Sequence, residues 1–204
     1  MAISTRTAMP QPSKRSYTLA DLLALPADGP RYELLGGELV LMPPPDVAHM
    51  LILQQLLRLL FVAEDAGYGV AGSGPCAVAL DYLQRGLRGI DGSEPDVFFV
   101  RKEHAHALRG DFVRDVPGLV IEVLSPKTRK NDLLGGSKWQ TYERNGVPYY
   151  WTVDPVGRTV TQYAYRDSQF MEEAVLRPGA VLHCPLFPGV TRAVADVFPA
   201  GREG

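Results

Sequence analysis

Apolar and polar positions follow two rhythms along this chain, and the switches between them mark its elements. Thr18, with Asp21 three residues on, is placed to cap a short helix through Leu25, which the stretch from Pro26 to Pro30 closes. RYELL and ELVLM then flank Gly36-Gly37, a two-residue turn that suits a tight β-hairpin. Asp46 predicts the start of a second helix. Its Val47, Met50, Leu53, Leu57 and Leu60 fall on one apolar stripe, and Gly67 marks its end. Shorter apolar runs near Cys76 to Leu80, Asp96 to Val100 and Leu119 to Leu124 read as strands. A helix around Lys138 to Arg144 stops at Asn145-Gly146, and PYYWTVD reads as another strand. VTQYAYR, EEAVL and AVLHC predict further strands in a hairpin arrangement. There is no internal repeat and no domain boundary. The pattern is that of an α/β domain over residues 17–204, a central mixed sheet flanked by helices, with an N-terminal hairpin and a β-rich C-terminal extension. The polar stretch MAISTRTAMPQPSKRS, residues 1–16, reads as a disordered tail.

Composition narrows the setting. A chain of 204 residues, 46% of them hydrophobic, can bury a core without disulfides or metals. Cys76 and Cys184 lie in no metal-type spacing, which predicts free thiols in a reducing compartment. The N-terminus lacks the basic start and apolar core of a signal peptide. The run MLILQQLLRLLFVA is interrupted by Gln54, Gln55 and Arg58 and reads as too short for a membrane span, so the expectation is a cytoplasmic protein with no membrane partner. A net charge of −2 gives no global attraction to nucleic acid. Any phosphate contact therefore depends on a local patch, and SPKTRKNDLLGGSK holds Lys127, Arg129, Lys130 and Lys138 against Asp132. Such a run is either a charged, flexible loop or a phosphate-contacting one.

The densest chemistry lies between Pro95 and Lys138. Glu122 sits inside the apolar run GLVIEVLSP, where an unpaired charge costs several kcal/mol, so a metal, a cation or a proton must offset it. A structural arginine pair, or a strand edge at which Glu122 faces water, would answer as well. Alternation places Val120, Glu122 and Leu124 on one strand face and Ile121 and Val123 on the other. Asp96 opens the run VFFV, at a strand end of the kind where open α/β sheets carry ligand sites. Adjacent strands would bring the two carboxylates together as a hard oxygen site that suits Mg²⁺ or Mn²⁺.

Pro95-Asp96 followed by Glu122-Val123-Leu124 resembles the PD-(D/E)XK nuclease pattern, with Leu124 in the place of its lysine. The string IEVLSPKTRKND, a lysine on a helix, and YERNGVPYYWTVDP together resemble the Uma-two family within that superfamily. RYELLGGELVLMPPP followed by His49 is similar to the same family's opening segment, so the likeness runs from Tyr17 to Tyr165. It implies a restriction-endonuclease-like fold and hydrolysis of DNA. Asp96 and Glu122 would be the metal ligands, with Lys138 as a lysine supplied from the helix and Lys127 and Lys130 as substitutes for it. The loop DLLGGS before Lys138 is longer than the family pattern. Glu33 and His49 match family positions and could join the site; otherwise Glu33 is a hairpin surface residue and His49 a helix-start hydrogen-bonding residue.

Other candidates carry less. His104 and His106 have no partners that complete a zinc site, the glycine pairs lack a following G-K-[ST], and Ser125 lacks a nucleophile elbow. Tyr163, Tyr165, Phe170, Phe187 and Phe198 give the C-terminal region more aromatic surface than a β extension readily buries. Together with the two-fold symmetry of duplex DNA, this predicts a homodimer.

Overall fold

The computed structural model describes residues 16–26, 28–80, 91–110 and 112–198. The tail expected over residues 1–16 lies, apart from Ser16, outside them. The first elements form as local chemistry dictates. Thr18 caps α1 (Leu19–Leu23): its Oγ1 accepts from the Asp21 N–H at 3.3 Å, and Asp21 accepts from the Thr18 N–H at 2.8 Å. The helix ends two residues before the expected Leu25. β1 (Tyr32–Leu35) and β2 (Glu38–Leu41) pair antiparallel across Gly36 and Gly37, whose φ of 59° and 81° are what a two-residue type I′ turn demands.

α2 (Val47–Asp65) begins where Asp46 accepts from the His49 N–H at 2.8 Å. Its buried face is Ile52, Leu56, Leu59, Leu60 and Ala63, whereas Val47 and Met50 of the expected stripe are 68% and 45% exposed. The helix is apolar on nearly every side, so periodicity alone admits several stripes, and the sheet beneath selects one. At 19 residues it is also longer than the interrupted run suggested. By length and composition alone it reaches what a membrane crossing needs, which corrects the expectation that it is too short. Its buried face packs on the sheet core.

The chain continues through β3 (Gly69–Ser73), β4 (Ala77–Leu80), β5 (Asp91–Ser93), β6 (Val97–Arg101), a 3₁₀ turn, β7 (Leu108–Arg109), β8 (Phe112–Val113) and β9 (Leu119–Val123). α3 (Arg129–Asp132), α4 (Ser137–Arg144) and β10 (Tyr149–Asp154) follow. β11 (Thr159–Arg166), β12 (Gln169–Leu176), β13 (Val181–His183), β14 (Thr191–Ala193) and α5 (Val194–Val197) complete it. The central sheet runs β12-β11-β10-β9-β6-β3 and is mixed, as expected: β9 and β10 are parallel, joined through α3 and α4, and its other neighbours are antiparallel. The N-terminal hairpin belongs to a second sheet, β2-β1-β5-β4-β8-β7, which the sequence pattern did not separate from the first.

The period-two alternation of strands sorts the core. Phe99, Leu119, Ile121, Val123 and Trp151 face α2 and the C-terminal segment, while Phe98, Val100, Val120 and Tyr150 face Trp139 and Tyr142 of α4 and Val78 and Leu80 of the second sheet. Glu122 shares its face with Val120, so it points toward α4. The aromatic surplus expected near the C-terminus is not present. Phe187, Phe198 and Phe170 are 0%, 3% and 7% exposed, and Tyr163 and Tyr165 pack beside Trp139 and Phe170. The argument for a homodimer thereby loses its apolar premise. Cys76 and Cys184 are free thiols, and burial pushes Cys184 up to about 12.

Candidate active site

Asp96 directly precedes β6, which lies antiparallel to β9 with Val97 opposite Ile121. This register carries the Asp96 carboxylate alongside the end of β9, where Oδ2 accepts from the Val123 N–H at 2.7 Å. Its other oxygen lies 3.0 Å from Nε2 of His49, held over it by the first turn of α2. Glu122, only 2% exposed, projects toward α4. There its Oε1 accepts from Lys138 Nζ at 2.9 Å and from the Tyr142 hydroxyl at 2.7 Å. Lys138 and Tyr142 are four residues apart on one helix, which puts them on one face.

The second sheet closes the arrangement. Glu33 on β1 is fully buried, with Oε1 3.2 Å from Lys138 Nζ. The same oxygen accepts from the Glu94 N–H at 2.6 Å and the Ser93 hydroxyl at 3.2 Å. Lys138 also donates to the Glu94 carbonyl at 3.3 Å, so its ammonium hydrogen-bonds Glu122 and Glu94 and ion-pairs with Glu33. The longer loop before Lys138 is accommodated by Gly136, at which a Cβ would come within 2.2 Å of the Lys130 carbonyl oxygen. The start of α4 thus rests against α3, and that contact sets the depth of Lys138.

A cavity of about 420 Å³ opens onto this cluster, lined by His49, Asp96, Glu122, Asp132 and Lys138, with Arg31 and Lys127 also on its wall. Its charges do not balance. Burial pushes Glu122 well above its ordinary value and raises Glu33, in both cases against the opposing charge of Lys138. Burial pushes Asp132 up to about 6. For Asp96, burial acts upward too, but the His49 hydrogen bond and Lys138 outweigh it and hold the carboxyl below its ordinary value. Burial works against the His49 imidazolium, yet the bond and charge of Asp96 raise it. Lys138 is disfavoured as a buried cation but held well above its ordinary value by Glu122 and Glu33. Acids in excess of cations can be relieved by protons or by a bound cation.

The residues able to hold such a cation are Asp96 and Glu122, both hard oxygen donors on the cavity wall. Among the described residues no three His, Cys, Asp or Glu side chains form a ligand group. The chain therefore offers a pair of carboxylates, a donor set that fits Mg²⁺ with water or phosphate completing its shell.

Of the residues singled out from the sequence, Glu33, His49, Asp96, Glu122 and Lys138 come into this one constellation. Glu33 is buried instead of lying on the hairpin surface. Leu124, in the place of the family lysine, is buried, and its N–H donates to the Val153 carbonyl at 2.8 Å. Of the basic patch, Lys127 reaches the cavity and Lys130 lines an adjoining hollow. Arg129 is engaged with Asp154 at 2.9 Å. Ser125 lies on the cavity wall with its hydroxyl 3.0 Å from Thr128 Oγ1, and His104 bonds Asp115 away from the site. Asp132, Tyr142 and Ser93 were not anticipated. The i, i+4 spacing of Lys138 and Tyr142 is a signal that could have found the second of these.

The comparisons with known proteins agree with this fold. A solved structure described as a "putative nuclease belonging to DUF820", from Anabaena variabilis, is 20% identical to this chain. It superimposes with a TM-score of 0.69 and covers 89% of this chain and 97% of its own, a likeness that establishes a shared fold. No curated protein matches. A family model described as "Putative restriction endonuclease" matches residues 19–195, nearly the whole length, and on that match the chain belongs to the Uma2 family.

Proposed function

We propose that the protein is a metal-dependent endonuclease that hydrolyses phosphodiester bonds in DNA. The observation that carries this reading is the meeting of Asp96, just before β6, and Glu122, on the neighbouring β9, with Lys138 of α4 at one cavity. When bound by the two carboxylates, Mg²⁺ or Mn²⁺ would neutralise charge on a phosphate and lower the pKa of a water. His49 fixes Asp96 as a carboxylate. Lys138 and Tyr142 orient Glu122, and the Lys138 ammonium adds positive charge where negative charge develops on the phosphate. Lys127 and Lys130, on the wall and in the adjoining hollow, would contact neighbouring phosphates, with Arg129 joining them on release from Asp154. A net charge of −2 does not oppose this, because the acids of the site itself weigh in that sum.

The test is cleavage of supercoiled and linear DNA with Mg²⁺, with Mn²⁺ and with chelator. Cutting is expected only with an ion, and Glu122→Gln should lower its rate by about a hundredfold or more. That variant keeps an oxygen for Lys138 and Tyr142 and so tests charge alone. A wild-type protein that cuts no DNA form with either ion would overturn the reading. One observation favours a second reading, a nuclease-fold protein that binds nucleic acid or a protein partner without cutting. With Leu124 in place of the strand lysine, the ammonium of Lys138 is held within 3.3 Å of three protein oxygens. DNA binding without cleavage would support that alternative.

A further inference from the structure

Asp132 closes α3 at the edge of the cavity. It is 2% exposed, yet its Oδ1 is buried with no hydrogen-bond partner. The remainder of the residue is held, since Tyr150 donates to its carbonyl oxygen at 2.7 Å. Among the described residues no ion pair holds it. Nor does helix capping account for it, because α3 has no side-chain cap hydrogen bond. Buried polar atoms without partners are rare, and each one points to something that occupies the space it faces. Asp132 is one of the residues lining the cavity shared with Asp96 and Glu122.

We propose that Asp132 is a positioning residue of the same site, its Oδ1 accepting a hydrogen bond from a water carried by the cation that Asp96 and Glu122 hold. The inference rests on the metal-dependent reading above. As they stand, Asp96, Glu122 and Asp132 do not form a ligand trio among the described residues, so Asp132 is assigned one step out from the ion. One water bridges the gap, and it meets the cation on one side and Asp132 on the other. Acceptors of this outer kind orient metal-bound water, and their loss typically lowers metal affinity by about 10- to 100-fold.

Calorimetric titration of MnCl₂ into wild type, Asp132→Asn and Glu122→Gln tests the proposal, with thermal melting of each metal-free protein alongside. Asp132→Asn should bind Mn²⁺ about 10- to 100-fold more weakly while melting no lower than wild type. A purely structural role for Asp132 predicts the reverse, a lower melting temperature with unchanged Mn²⁺ affinity, and that result overturns the inference. If Glu122→Gln loses affinity and Asp132→Asn does not, the inference fails while the metal site stands. If the wild type binds no Mn²⁺, the metal reading fails and takes this inference with it. Asp132→Ser, neutral and smaller, serves the same comparison should the asparagine variant not fold.

Discussion

Replacing Lys138 by methionine removes the charge at the centre of the site while keeping most of the volume of its stem. Glu122 and Glu33, 2% and 0% exposed, then face one another with no cation between them. A buried carboxylate in that position escapes by taking up a proton. From an ordinary value of 4.5 this costs about 3 kcal/mol at pH 7 and under about 1 kcal/mol at pH 5, at about 1.4 kcal/mol per unit. The first figure matches the roughly 3–5 kcal/mol lost when one partner of a buried ion pair is deleted, and it is a large share of the roughly 5–15 kcal/mol that stabilises a domain. The sign follows from the direction of the shift. The freed carboxyl has a folded pKa above its unfolded value, so its contribution is complete below about pH 4.5 and is lost as pH rises through the folded value.

Urea unfolding of both proteins without divalent ions, at pH 5 and pH 7, measures the effect. Lys138→Met should be less stable than wild type by about 3 kcal/mol at pH 7, and the gap should shrink by at least half at pH 5. An equal loss at the two pH values would place the cost in packing and refute the charge argument. Activity of any Lys138 variant is accordingly informative only where the variant is shown to be folded.

Two further outcomes are expected. Asp132, pushed up to about 6 from an ordinary 3.8, contributes stability that is lost as pH rises through about 6. Relative to wild type, metal-free Asp132→Asn should therefore gain about 3 kcal/mol between pH 3 and pH 8, and flat difference curves from melts across that range would contradict this. Gly136→Ala drives a Cβ to within 2.2 Å of the Lys130 carbonyl oxygen and should cost about 1–3 kcal/mol or more by displacing the start of α4. A denaturant midpoint equal to that of wild type would show that α3 yields freely.

What was legible in the sequence is what short-range chemistry decides. The Thr18–Asp21 capping box, the Gly36-Gly37 turn and the Asp46 cap each need only residues within a few positions, and each formed as read. Asp96 and Glu122 stood out because a carboxylate in an apolar strand has few cheap explanations. Long-range pairing decided the rest. The second sheet joins β1 to β5, whose Leu34 and Gly92 are distant in sequence, through strands too short to announce themselves. The face that α2 buries is chosen by the sheet beneath a helix apolar almost all round. Asp132 reads as the lone acid of a basic loop, and it is buried because Tyr150, from a later strand, takes its carbonyl.

The placement of the cluster bears on why so costly an arrangement stands where it does. Glu122 comes from the central sheet, Glu33 from the second sheet, and Lys138 from the helix that joins two parallel strands. Lys138 bonds both acids, so one ammonium ties together the faces of two sheets. If stability were the only demand, apolar residues of similar volume would serve this seam as well or better, because replacing a buried ion pair in this way is often neutral or stabilising. Glu33 Oε2 and Asp132 Oδ1, both buried without partners, deepen the deficit. The seam is thus a region where local choices run against folding while the surrounding strands hold the chain in place. Such conflicts concentrate at functional sites. On the proposed reading, this excess negative charge is what a bound cation would offset, and the two sheets supply the rigidity that keeps those charges together.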